Sequence, residues 1–482
     1  MSFSLRRWLL GTFAVFFLYL FALTDVGLLG PDEPRYASIG REMARSGDWV
    51  TPRLWGEAWF EKPALLYWLI ALGNKARLGE ELAPRLPVVL LSLAFLLFFY
   101  RFLRSEFGRE PALYSTILLG TMAGWVAFSQ LALTDLPMSA LFSASMLLGV
   151  RWGRIGGRLA LAAAAALLGL AVLAKGLVPL ILAAPLLWLG RARWRQLLDP
   201  LPAGAFLLTA GPWYALCSIR HRAGFLTEFF WKHHVARLGE GVIHHTQPVW
   251  FYAPVLLAGV LPWTPLAALL FRRGFFGDAR RRFFLLWVTF GFAFLSAVSN
   301  KLPGYLLPLL PAIAILFGLA LAEAKDARWI LAACCLLLLL VPVIAQTLPG
   351  ALAQGLSRAK IGGIPIGFLI TYAALAALVW FLEEIGRRQA AVALLVVGIV
   401  LGVVLLKVRS YPVMERAVSA RPLWQRVASV RHAACIENIH RNWRYGLNYY
   451  SVAPLPDCKD GLKPFRIQQP PGRPPFVNGL VP

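Results

Sequence analysis

Hydrophobic positions in this chain fall in long runs that follow neither the 3.6-residue period of an amphipathic helix nor the alternation of a half-buried strand. A bilayer core takes about 20 apolar residues per helix. About thirteen runs approach that length, at 8–24, 85–103, 112–130, 135–150, 158–174, 176–190, 201–218, 250–271, 283–298, 304–322, 329–346, 364–382 and 389–406. The pattern predicts a mainly α fold, a polytopic transmembrane helical bundle.

The polar stretches between the runs alternate in character. Every second one is basic: Arg6 and Arg7, Arg101 to Arg109, Arg151 to Arg158, Arg191 to Arg195, Arg272 to Arg282, Lys325 with Arg328, and Arg387 with Arg388. Basic loops stay in the cytoplasm, so the loops 25–84 and 219–249 lie on the outer face. An odd number of spans puts residues after 406 there too. The chain therefore divides into a transmembrane domain, 1–406, and a small outer domain, 407–482. A basic start followed by an apolar run also fits a signal peptide, but no small-x-small cleavage site precedes Asp25, so an anchoring helix is expected.

Composition supports this class: 59% of the 482 residues are hydrophobic and the mean hydropathy is +0.64. A net charge of +24 could suggest nucleic acid, but the arginines sit in short clusters between apolar runs, as topology signals do. Two cysteines, Cys435 and Cys458, lie outside the apolar runs, and they can pair if the outer face is oxidising.

Outside the spans, residues 64–87 start apolar but are interrupted by Gly73, Lys75, Arg77 and Gly79, which predicts a helix lying along the outer surface. Residues 407–468 mix a helical pattern at Leu423 to Val430 with a strand-like Ala433 to Ile439, predicting an α/β unit. The tail from Gln468 onward is so rich in proline that irregular structure is expected.

Charge on the outer face is where chemistry is expected, because a membrane protein carries few ionisable groups without a use for them. Asp32 and Glu33 open a polar loop after Gly30-Pro31, and Arg35 and Tyr36 follow one turn on. As structure, Asp32 is a helix cap and Glu33 a first-turn acid; as chemistry, a carboxylate at the membrane surface is a general base. Glu61 and Lys62 read either as a solvated pair or as part of an anion site. The chain prefers arginine, yet Lys62, Lys175, Lys232 and Lys301 all fall at outer turns, where a compact ammonium suits a phosphate. Asp135 begins a span, as cap or functional acid, with Lys175 a candidate partner across the bundle. The loop with His233, His234, Arg237, His244 and His245 lacks the spacing of a closed zinc motif, and interfacial hydrogen bonding is its plainer reading.

In this order, the motifs resemble those of the bacterial lipid A aminoarabinose transferases and the wider protein O-mannosyltransferase-like glycosyltransferases of GT-C fold. They are Asp-Glu-x-Arg-Tyr-Ala at 32–37, Gly-Asp-Trp-x-x-Pro at 47–52, Phe-Glu-Lys-Pro at 60–63, the Asp135 turn, Ala-Lys-Gly at 174–176, His-x-x-Arg at 234–237 and Lys-Leu-Pro-x-Tyr-x-Leu-Pro at 301–308. The resemblance implies transfer of a sugar from a polyprenyl-phosphate donor to lipid A, another envelope glycan or a protein hydroxyl, at the periplasmic face of the bacterial inner membrane. It implies Asp32 as catalytic carboxylate, with Asp135 and Lys175 in support, and Arg35, Lys62, Arg237, Lys301 and Tyr305 around the donor phosphate. No cofactor is required, although Glu61 and His234 match positions that hold a divalent metal such as zinc in some relatives. A lipid-linked substrate transporter or flippase, and an accessory membrane subunit, are the other readings of the same composition. A transporter would spread polar groups through the midplane and often shows a repeat between halves; here the charges gather on one face.

Overall fold

The computed structural model describes residues 11–190, 193–197, 199–229, 247–461 and 463–479. Helix dominates. After the short apolar helix Gly11–Leu20 the chain turns into the first outer loop, whose main element is α1, Asp32–Ser46. Its first turn carries two acids and Pro34, where no intrahelical N–H is needed and negative charge favours the helix dipole. Gly47, at φ 73°, ends it in the left-handed conformation. A two-stranded hairpin, β1 (Arg53–Leu54) with β2 (Glu57–Ala58), follows, and then α2, Leu65–Lys75, which packs on α1. The helix expected in this segment is α2, which runs through the interrupting Gly73 as far as Lys75.

The bundle proper begins with α3, Leu82–Phe107, whose 26 residues are long enough to cross a bilayer. It continues through α4 (Asp135–Ile155) and α5 (Arg158–Lys175). Further spans are Pro303–Glu323, Arg328–Gln354, Ile366–Glu384 and α6, Arg388–Val418. The Pro303–Glu323 segment is the hub: 89% of its apolar window is buried, against 22% for Ile366–Glu384, which faces outward. The helix α6 runs on past 406 to Val418.

The span count differs from the thirteen expected. Among the described residues six helices are long and apolar enough to cross a membrane, and eight if each bent pair is one span. Bends and short segments account for part of the difference. The run 112–130 breaks at Met122, whose extended backbone (φ −61°, ψ 130°) bends the two helices by 61°, and the run 250–271 bends by 104°. The segment Val178–Leu189 is apolar but short.

The basic loops meet at one end. Arg154 bonds Glu106 at 2.7 Å, Arg280 donates to the Glu106 carbonyl at 2.9 Å, and Arg281 pairs with Glu323. Arg388 donates to the Leu321 carbonyl at 2.7 Å. Loops far apart in sequence are thus tied together on the predicted cytoplasmic face.

At the other end lies the polypeptide after α6. It forms helix α7, Arg441–Tyr450, and a three-stranded sheet of β3 (Ala434–Asn438), β4 (Phe465–Gln468) and β5 (Phe476–Asn478) in the order β3-β4-β5, parallel then antiparallel. Cys435 and Cys458 form a disulfide. The proline-rich tail is less irregular than expected: Phe476 to Asn478 pair with Gln468 to Arg466 as an edge strand, and the prolines Pro474 and Pro475 before it cost no ladder bond. This unit is fastened to the first outer loop. The Tyr449 hydroxyl donates to the Glu80 carbonyl at 2.7 Å, and that of Tyr450 bonds Glu81 at 3.1 Å and accepts from the Leu28 N–H at 3.1 Å. Arg421 pairs with both Glu81 (3.0 Å) and Glu415 (2.7 Å).

Candidate active site

Two clusters of charge are built from the residues the sequence singled out. The first is built on the start of α1. Asp32 is the first helical residue, not the cap: Pro31 precedes the helix and no side chain caps it. That leaves the Asp32 carboxylate, 37% exposed, free of backbone N–H groups and paired with Arg35 one turn on. The other face of the Arg35 guanidinium bonds Glu61 at 2.9 Å, and Glu61 lies 3.7 Å from the Lys62 ammonium. The guanidinium is also packed against the rings of Tyr36 (5.5 Å), Trp59 (5.6 Å) and Tyr445 (5.5 Å). Burial opposes its charge, but Tyr36, Glu61 and Asp32 more than offset this and raise its pKa, so it stays a cation. Burial, and after it the nearby carboxylates, push the Tyr36 and Tyr67 phenols well above their ordinary value, so both are neutral donors. The Tyr67 hydroxyl and the Arg35 Nε are buried without a hydrogen-bond partner.

The second cluster sits at the ends of α4 and α5. Lys175 Nζ meets Asp135 Oδ1 at 2.5 Å and lies 4.4 Å above the Tyr305 ring. Gly304 makes that approach feasible, since a Cβ there would fall 2.6 Å from Asp135 Oδ1. Lys301 is close in sequence but differently used: it is buried, and its ammonium donates to the carbonyls of Gln247 (3.0 Å) and Val298 (2.7 Å).

Glu33 joins the clusters. Its Oε2 accepts from the Leu29 N–H at 2.8 Å, and its Oε1 accepts from the Ala132 N–H at 2.8 Å, three residues before Asp135. Arg85, at the start of α3, holds both oxygens and donates to the carbonyls of Leu23, Val26 and Gly27 as well. Sequence reasoning treated Glu33 as a first-turn acid and missed Arg85. The available signal was a charged residue at the edge of an apolar run, Ala83-Pro84-Arg85-Leu86-Pro87. It also missed Tyr445, Trp59, and the hydrogen bond of 2.9 Å between Thr51 and His221 that sets the latter's ring edge against Phe60.

The structure thus brings together Asp32, Arg35, Glu61 and Lys62 in one group and Asp135, Lys175 and Tyr305 in another. Arg237 and His234 lie outside the described residues. As a metal ligand Glu61 fits poorly, because its carboxylate is already bonded to Arg35 with Lys62 beside it. Among the described residues no three His, Cys, Asp or Glu side chains gather as a metal site. Chemically, the arrangement offers an accessible carboxylate for a proton and several cations for an anionic group leaving beside it.

Comparison with known proteins agrees with the motifs. The family described as dolichyl-phosphate-mannose-protein mannosyltransferase matches residues 61–212. The undecaprenyl phosphate-alpha-4-amino-4-deoxy-L-arabinose arabinosyl transferase 2 of Pseudomonas fluorescens is 35% identical over 350 residues, 67% of this chain and 58% of that protein. The corresponding transferase of Pseudomonas aeruginosa is 35% identical over 336 residues, 66% of this chain and 60% of its own length. The chain therefore spans about three fifths of these relatives. The crystal structure of ArnT from Cupriavidus metallidurans bound to undecaprenyl phosphate superposes with a TM-score of 0.76 at 25% identity, covering 94% of this chain and 86% of that one. The arabinosyltransferase EmbB of Mycobacterium smegmatis shares the fold more distantly, at a TM-score of 0.53 and 15% identity over 94% of this chain and 43% of its own. The chain has the polytopic GT-C fold, and its likeness to the aminoarabinose transferases extends over sequence and structure alike.

Proposed function

We propose that the chain is an integral membrane glycosyltransferase of the bacterial inner membrane. It moves a sugar, aminoarabinose or a close relative, from a polyprenyl-phosphate donor to lipid A or another envelope glycolipid at the periplasmic face. The observation that carries this reading is the pairing of an exposed carboxylate, Asp32, with a cationic surround that includes Arg35 and Lys62 at the outer end of a bundle of this fold. The similarity to transferases named for an undecaprenyl-phosphate sugar supports the donor class.

In the proposed step the acceptor oxygen attacks the anomeric carbon as the bond from that carbon to the donor phosphate oxygen breaks. The electron pair leaves with the phosphate, and configuration inverts. Arg35, Lys62, Lys175 and Tyr305 stabilise the growing negative charge, with Lys301 and Arg237 proposed to complete the phosphate site. Asp32 takes the proton of an acceptor hydroxyl, a transfer that an already ionised acceptor phosphate does not need. Asp135 holds Lys175 in place. The leaving group is the lipid phosphate itself, so the proposed reaction needs no nucleotide. The competing acceptor, a protein hydroxyl, draws on the description of the matched family.

The test uses purified protein in nanodiscs with a panel of undecaprenyl-phosphate sugars, each offered lipid A or a hydroxyl-bearing peptide. Release of undecaprenyl phosphate with lipid A but not peptide supports the reading. Peptide-dependent release favours the protein acceptor, and no release by folded protein favours transport or an accessory role.

A further inference from the structure

A cleft of about 260 Å³ opens between α1 and the segment that follows α7, lined by Ser38, Arg41, Arg45, Trp55 and Val452 to Pro454. It lies apart from the charge clusters described above, yet it is built from the same helix. Arg35, Ser38, Glu42 and Arg45 follow the i, i+3, i+7 stripe of α1, so the cleft continues along the helix face that begins at the Arg35 cluster. Ten residues of helix carry it about 15 Å further on. Tyr445 touches both places: its ring packs on the Arg35 guanidinium and stacks on Trp55 at 5.6 Å.

Two residues of the lining carry polar groups that have no partner among the described residues. The Ser38 hydroxyl and the Trp55 indole nitrogen are buried with no hydrogen-bond partner. Arg41 is buried and donates to the Tyr449 carbonyl at 2.6 Å, but among the described residues neither Arg41 nor Arg45 has a carboxylate within ion-pair distance. The one acid in the lining, Glu42, accepts from the Gly56 N–H at 3.0 Å. Burial lowers the Arg41 pKa and Arg45 adds to the effect, against the opposing influence of Tyr449, Glu80 and Glu42. Trp55 is a non-glycine residue held at φ 56°, a strained conformation of the kind that concentrates at binding sites. Two guanidinium groups, an idle hydroxyl and an indole N–H in one cleft suit a phosphate, which accepts several hydrogen bonds and favours forked arginine contacts.

We infer that this cleft binds a phosphate group of the acceptor glycolipid, so that Ser38, Arg41, Arg45 and Trp55 hold one end of the acceptor while another part of it reaches Asp32. This rests on the transferase reading above, since it is that reading that makes the partner an acceptor lipid.

The test measures binding of bisphosphorylated lipid A, of chemically dephosphorylated lipid A and of inorganic phosphate to the full chain in nanodiscs of uncharged lipid. Undecaprenyl phosphate binding is followed on the same samples. Phosphorylated lipid A should bind at least about tenfold more tightly than the dephosphorylated form, the size expected of one charge-assisted hydrogen bond. Arg45→Glu and Ser38→Ala should remove most of that difference while leaving undecaprenyl phosphate affinity unchanged. Arg45 is on the exposed side of α1, so its variants fold, whereas Arg41 variants also lose the Tyr449 contact. Equal binding of the two lipids, or phosphorylated lipid A binding indifferent to Arg45→Glu, overturns the inference. Arg45-dependent binding of inorganic phosphate as tight as that of the lipid makes the cleft a free-anion site and likewise overturns it. Loss of undecaprenyl phosphate binding in the wild type overturns the transferase reading, separately from the lipid comparison.

Discussion

Glu33 and Arg85 form a buried, forked ion pair, Nε to Oε1 at 3.0 Å and Nη2 to Oε2 at 2.8 Å. The pair fixes three pieces of chain at once: the turn before α1, the start of α3 and the loop leading to Asp135. Asp32 is the neighbour of Glu33, so the register of the proposed base relative to Asp135 is set by a residue that touches no substrate. Removing Arg85 leaves a carboxylate buried without its cation, which typically costs about 3–5 kcal/mol. Arg85→Leu should therefore lower the unfolding midpoint in detergent substantially, far more than Arg104→Gln at the opposite end. Equal midpoints for the two variants would show that the pair does not hold the loop.

The Asp135–Lys175 pair makes a different prediction. Lys175→Met should leave the fold intact, because its partner carboxylate is partly accessible, but should slow turnover about 100-fold or more through loss of charge beside the leaving phosphate. Steady-state rates alongside the unfolding midpoint separate the two effects; unchanged rates would remove Lys175 from the site.

Asp48 predicts a pH dependence. Burial alone would raise its pKa, but the N–H groups of Thr51 and Val50 and the guanidinium of Arg220 outweigh it and hold the carboxylate below its ordinary value of 3.8. A depressed folded-state pKa means that the carboxylate stabilises the loop fully above the ordinary carboxylate range, and that this stability fades as pH falls through the folded value. Asp48→Asn should unfold at a lower temperature than the wild type at pH 7, and the two midpoints should converge in acid. A gap that stays constant as pH falls well below the ordinary value of 3.8 would contradict this.

The disulfide closes a loop of sequence separation 23. Loop-closure entropy for that length stabilises by about 3 kcal/mol. Reduction, or the double change of Cys435 and Cys458 to alanine, should loosen the β3-β4-β5 sheet and speed proteolysis between β3 and β4 while sparing the bundle. Cleavage at the wild-type rate would show that the packing around Tyr449 and Tyr450 suffices.

Much of this was legible in the sequence because the relevant signals are local. The apolar runs foretold a helical bundle, arginine placement foretold which ends meet, and short motifs foretold the turns that carry Asp32, Glu61, Asp135 and Lys175. What escaped depends on chain segments far apart. Arg85 finds Glu33 52 residues away, and Tyr445 reaches Arg35 from the far end of the chain, so neither contact leaves a pattern in its own neighbourhood. Hydropathy also counts apolar residues without seeing where the backbone bends, so the break at Met122 and the turn between Val260 and Thr264 passed as continuous spans. The edge strand β5 escaped for the opposite reason: proline composition argued against regular structure, while only three residues had to pair.

The most direct test of the account follows a radiolabelled sugar from undecaprenyl phosphate to lipid A in nanodiscs, comparing the wild type with Asp32→Asn at matched unfolding midpoints. The account predicts label on the lipid A fraction with the wild type, and a rate lower by about 10²–10⁴-fold with Asp32→Asn if a hydroxyl is the acceptor group, the usual contribution of a general base. Transfer by Asp32→Asn at the wild-type rate to a hydroxyl acceptor, or no transfer by a folded wild type that binds the donor, would contradict it.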